Sequence, residues 1–134
     1  MEKYIAAISG VVGAFVSFLV HGLGLAVTVL IALMAIDYIT GLFAAIVNRE
    51  LNSRIGFNGL IRKMYYLLLI GAVYLIALVI PVLEHAGAGA AIAFCVLELV
   101  SIAENGTKMN IYIPDFIKNI LAVVKEKTGE GMKK

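Results

Sequence analysis

The sequence predicts an all-α integral membrane protein, with four apolar helices followed by an amphipathic interfacial helix. Three observations carry this expectation. Of 134 residues, 62% are hydrophobic and 15% are charged, whereas a water-soluble domain is about half apolar and a quarter charged. The apolar residues gather in long runs parted by short polar breaks. The lysines and arginines avoid every second break, which is the asymmetry that membrane insertion imposes on loops. A chain this short buries proportionally little surface in water, so its apolar surplus calls for lipid as solvent.

The first stretch runs from Tyr4 to Val20. It follows the weakly charged Met1-Glu2-Lys3 and lacks an Ala-x-Ala ending, so it reads as a retained helix rather than a cleaved leader. His21-Gly22-Leu23-Gly24 suits a tight hairpin, since glycine admits positive φ. The second stretch, Leu23 to Val47, is roughly 37 Å long at about 1.5 Å per residue and crosses a hydrocarbon core of about 30 Å. The basic segment Asn48 to Lys63 reads as a loop. The third stretch, Met64 to Leu83, also spans, and Pro81, Glu84, His85, Gly87 and Gly89 mark the turn into the fourth, Ala86 to Ala103. The first and fourth lie near the lower limit of about 17 residues.

Residues 1–105 thus read as a transmembrane domain and 106–134 as a cytoplasmic basic tail. In the tail, Ile113, Phe116, Ile117, Ile120, Leu121 and Val124 recur at helical spacing, largely opposite Asp115, Lys118, Asn119, Lys125 and Glu126. Pro114 and Asp115 suit a start, and the helix is expected over 114–127. It either lies in the interface, with Lys118, Lys125 and Lys127 drawn to anionic lipid, or packs on a neighbouring subunit.

Orientation follows from counting cations. Lys3, then Arg49, Arg54, Arg62 and Lys63, then Lys108, Lys118, Lys125, Lys127, Lys133 and Lys134 all fall on one side of a four-crossing chain, and that side is cytoplasmic. Both termini are then inside the cell, in a bacterial cytoplasmic membrane. If the first stretch does not cross, only the N-terminus moves outside.

The candidate functional residues are polar or small groups at lipid depth. Asp37 sits mid-way along the second stretch, where an ionisable side chain costs about 2.5 to 3.5 kcal/mol to insert. Asp37, Thr40, Gly41, Ala44, Ala45 and Asn48 form one helical stripe. Glu98, Ser101 and Asn105 share a face of the fourth stretch, with Glu104 beside them. Ser9, Gly13, Ser17 and His21 recur at four-residue spacing in the first, next to a row of Ala6, Gly10 and Ala14. Small residues let helices approach and polar ones bond across them. Three such stripes exceed the needs of one four-helix monomer, so a homo-oligomer is expected. Asp37 and Glu98 are either neutral, hydrogen-bonded core groups or linings of a water-filled lesion.

Other chemistry has little support. Cys95 is alone in an apolar run, His21 and His85 cap external turns, and no Cys/His spacing suits a metal. No nucleophile–base arrangement or cofactor motif suggests an enzyme. The basic tail lacks the interleaved aromatics of a nucleic-acid surface, so lipid is the simpler partner. Asn105-Gly106-Thr107 matches a glycosylation acceptor but falls on the cytoplasmic side.

Three strings resemble a known family. They are DYITGLFAAIVNRELNSRIGFNGLIRK (37–63), with Asp37, Thr40-Gly41, Ser53, Gly56, Gly59 and Arg62-Lys63; ELVSIAEN (98–105); and IPDFIKNIL (113–121). In that order they are similar to the toxin-secretion and phage-lysis holins of Gram-positive bacteria and their phages. The resemblance covers about Asp37 to Leu121, and the first stretch has no part in it. It implies accumulation in the cytoplasmic membrane, then assembly into large lesions that let endolysin, or in some relatives a large toxin, reach the wall without specific binding. A membrane anchor or transporter subunit and a narrow ion channel are the competing expectations.

Overall fold

The computed structural model describes residues 1–18, 21–22 and 24–132, and these contain five α-helices and no strand. They are α1 (Glu2–Phe18), α2 (Leu25–Val47), α3 (Ser53–Ala77), α4 (Ala86–Lys108) and α5 (Asp115–Met132), with a 3-10 turn at Pro81–Leu83. The expected limits at Val20 and Leu23 lie outside the described residues. Gly24 precedes α2 with φ +87°, the left-handed geometry its lack of a Cβ permits.

The third stretch is corrected at both ends. The helix begins at Ser53, not Met64, and most of the expected 48–63 loop is its first turns. Asn52 caps it, accepting a hydrogen bond from the Arg54 amide at 3.0 Å. It stops at Ala77, not Leu83, because Pro81 forces the residue before it out of helical geometry; Ile80 is extended at φ −117°, ψ 92°. The fourth stretch runs on to Lys108, past the expected Ala103. Both α2 and α4 close with a left-handed residue, Arg49 at φ 57° and Asn110 at φ 59°. The amides that follow reach back five residues, Glu50 to Ala45 at 2.9 Å and Ile111 to Gly106 at 3.0 Å, which satisfies carbonyls at the helix end. In the tail, the Pro114 carbonyl accepts from Ile117 and Lys118, so α5 starts where expected but continues to Met132.

Among the described residues, three segments are long and apolar enough to cross a membrane: Leu25–Val47, Ser53–Ala77 and Pro81–Lys108. Four apolar helices were expected, the first and fourth near the lower limit for a span; α1, at 17 residues, is not one of these three, whereas the fourth is. Its described side chains are all exposed.

The core is built on α2 and α4. They run parallel, as Ala26 lies by Cys95, Asp37 by Asn105 and Asn48 by Lys108. On α2 the buried positions Val27, Leu30, Met34, Asp37 and Ala44 step by three, four or seven along one face. Val27, Leu30 and Met34 pack with Ala91 of α4 and Ile70 of α3, and Tyr66 stacks on Phe94 at 4.5 Å between centroids. On α3, Ile70 alone is buried among the described residues. Leu68, Leu75 and Leu78, like Leu25, Ile36 and Phe43, stay exposed, as side chains whose solvent is lipid do.

A buried ionic cluster between three helices

The candidate site grows from the register of the three spans. Asp37 lies ten residues before the end of α2, Lys63 ten after the start of α3, and Glu98 ten before the end of α4. Those ends share one side of the bundle, where Asn48 Nδ2 donates to the Lys108 carbonyl at 3.2 Å. Ten residues of helix rise about 15 Å, so all three charges sit at one level.

There Lys63 bridges the acids. Its Nζ is 2.8 Å from Asp37 Oδ2 and also donates to Glu98 Oε2. Asp37 is 8% exposed and Glu98 4%. The second oxygen of Asp37, Oδ1, accepts from Asn105 Nδ2 at 2.9 Å. The same amide reaches the Asp37 carbonyl at 3.2 Å and Thr40 Oγ1 at 3.0 Å, while Thr40 donates to the Asp37 carbonyl at 3.0 Å. Gly41 lies against this network, where a Cβ would meet Asn105 Nδ2 at 3.5 Å, an ordinary van der Waals contact. Among the described residues no buried side-chain polar atom lacks a partner.

The electrostatics follow from that geometry. An unpaired charge at this depth costs several kcal/mol, and pairing with full hydrogen bonding offsets much of it. One ammonium faces two carboxylates, so the cluster carries a formal excess of negative charge when both acids are ionised. Neither reading offered by the sequence, neutral hydrogen-bonded acids or a water-lined face, includes this lysine. Arg54, Asn58 and Arg62 on α3 and Glu104 and Asn105 on α4 fill the turns between the cluster and the basic end. These polar groups share their turns with the exposed Ile55, Phe57, Leu60 and Ile61.

The structure brings together Asp37, Thr40, Gly41, Glu98 and Asn105 from the expected stripes. Ala44 is buried, Ala45, Ser101 and Glu104 are half-buried, and Asn48 joins the helix ends. Gly10, Gly13 and Ser17 are exposed on α1 and do not take part. Lys118 is exposed, 3.4 Å from Asp115 and 5.5 Å from the Tyr112 ring centre. The side chains of Lys125 and Lys127 lie outside the described residues. No group of His, Cys, Asp and Glu among the described residues could hold a metal ion.

The comparison that decides the family is a model of the bacteriophage holin family, which matches residues 14–126, most of the chain and all three charged spans. The chain belongs to the bacteriophage holin family. Similar proteins include the uncharacterized protein Lmo0128 of Listeria monocytogenes, 34% identical over 124 residues that cover 91% of this chain and 87% of that one. The uncharacterized protein Lin0175 of Listeria innocua is 33% identical with the same coverage. The uncharacterized protein BH0965 of Halalkalibacterium halodurans is 32% identical over 93% of this chain and 96% of its own. No solved structure matches the chain.

Proposed function

We propose that this holin-type membrane protein accumulates in the bacterial cytoplasmic membrane, oligomerises there, and opens lesions large enough to release endolysin or a large toxin. The cargo passes without being bound, and the chain needs no cofactor and performs no catalysis. Its partners are copies of itself and lipid, not nucleic acid. The C-terminus is cytoplasmic, and so is the N-terminus when α1 crosses.

The observation that carries this reading is the ionic cluster of Asp37, Lys63 and Glu98 in helices whose outer faces are apolar. A monomer that only anchored a partner would have little use for three charges at lipid depth, each costly to insert. A lesion-forming protein has one, because polar faces hidden among its own helices can later line water. The small-residue face of α1, exposed in the monomer, supplies a surface for lateral contact between copies.

Expression of the chain alone, beside a large cytosolic reporter enzyme, tests the proposal. Abrupt reporter release is expected after a delay. Sealed cells would favour an anchor, and lost ion gradients with retained reporter would favour a narrow channel.

A further inference from the structure

We propose that Lys63 is an ionic clasp, and that α3 is the span that detaches from a standing α2–α4 pair when the bundle opens. This deepens the lesion-forming reading and rests on it. Three observations meet here. First, α2 and α4 hold each other along their length, from Ala26 and Cys95 at one end to Asn48 and Lys108 at the other. Second, α3 buries Ile70 alone among its described residues, while Leu67, the Tyr66–Phe94 stack and Tyr74 beside Gly87 are only partly buried against the pair. Third, Lys63 of α3 bonds both members of the pair at once, Asp37 on one partner and Glu98 on the other.

The division of labour is physical. Asn105 ties α4 to α2 through Asp37 and Thr40 with no help from α3, so those bonds survive when α3 leaves. The clasp does not survive, because both of its acceptors stay behind. Departure of α3 bares one face holding Asp37 and Glu98, with no cation beside them. In the low-dielectric membrane that face requires water or the Lys63 of a second copy. One element of the closed monomer thus both hides the polar face and is held by it.

The test uses disulfide trapping in membranes of cells making the full-length chain. One reporter pair joins α3 to α4: Tyr66→Cys with Phe94→Cys, in a Cys95→Ser background. The other joins α2 to α4: Ala26→Cys with the native Cys95. Each is combined with Lys63→Met and, separately, with Lys63→Arg. We expect Lys63→Met to lower the oxidised yield of the α3–α4 pair at least severalfold and leave the α2–α4 pair unchanged, with Lys63→Arg retaining both. Unchanged yield at both pairs overturns the clasp, and parallel loss at both overturns the standing α2–α4 pair. Reporter release, scored in the same cells, shows separately whether the lesion-forming reading holds. If it does, the α3–α4 disulfide is expected to block release until reduced, and release through the intact cross-link overturns detachment of α3.

Discussion

Asp37 is the residue at which most of the cluster's bonds converge. Its carboxylate takes one bond from Lys63 and one from Asn105, and its backbone carbonyl accepts from Asn105 and Thr40. Replacing it with leucine removes a side chain that costs about 2.5 to 3.5 kcal/mol to insert and adds one that favours lipid by a few tenths. Insertion should therefore improve. Lys63 keeps Glu98, and Asn105 keeps the carbonyl and Thr40, so the closed bundle should persist with one fewer group to drive water into it. We expect Asp37→Leu to reach the membrane in full amount and to delay or abolish lysis. Membrane-fraction blots alongside optical density after induction measure both, and unchanged lysis timing would remove Asp37 from the mechanism. Gly87 offers a contrast, because its role is steric. A Cβ there would stand 2.7 to 2.8 Å from the ring of Tyr74. Gly87→Ala should push α3 away from the start of α4 at a cost of about 1 to 3 kcal/mol. Thermal aggregation of the detergent-purified protein should fall in temperature, and Tyr74→Ala in the same chain should recover part of the loss.

At the scale of elements, the sequence made α2 and the start of α4 plain, because long apolar runs bounded by glycine or proline have one reading in lipid. The start of α3 was hidden by its charges. Arg54, Asn58, Arg62 and Lys63 look like a loop to anyone counting cations, yet Asn52 is a sound N-cap, and Ile61, Met64, Tyr65 and Leu68 already follow helical spacing. With α3 begun at Met64, Lys63 stood in the loop, and the partner of Asp37 and Glu98 went unseen. Two acids at lipid depth were the available signal: they ask for a cation, and Lys63 directly borders the expected third stretch. The tail was legible by amphipathicity alone, and its apolar side, with Phe116, Ile120 and Val123, lines a shallow open groove. If that side rests in the interface, each nearby lysine contributes about 1 kcal/mol with anionic lipid. Converting Lys118, Lys125 and Lys127 to glutamine should make α5 of the full-length chain more open to protease in anionic vesicles. In zwitterionic vesicles no difference is expected, and raised salt should shrink the effect.

For the whole molecule, the controlling quantity is how many times the chain crosses, because each crossing reverses the side on which later charges land. With α2, α3 and α4 spanning, Arg49 and Arg54 share a side with Lys108 and Lys118, and the turn at Pro81–His85 is on the other. Seventeen residues of α1 rise about 25 Å, short of a full hydrocarbon core of about 30 Å, but slight local thinning of the bilayer covers that gap at modest cost. Against that cost stands Lys3 with the terminal amine. Were α1 to remain outside, both charges would lie on the face that the remaining ten lysines and arginines avoid. Crossing places all eleven together, and it also buries Tyr4, Ile5, Ile8, Val11 and Val12, which are exposed in the isolated chain, in lipid or against a second copy. We therefore expect α1 to cross. In a Cys95→Ser background, a membrane-impermeant thiol reagent added to intact cells should label Ala86→Cys and spare Glu2→Cys. Labelling of both would place α1 outside and reduce the crossings to three. Because α2, α3 and α4 keep their direction either way, that result would move the N-terminus and leave the ionic cluster where it is.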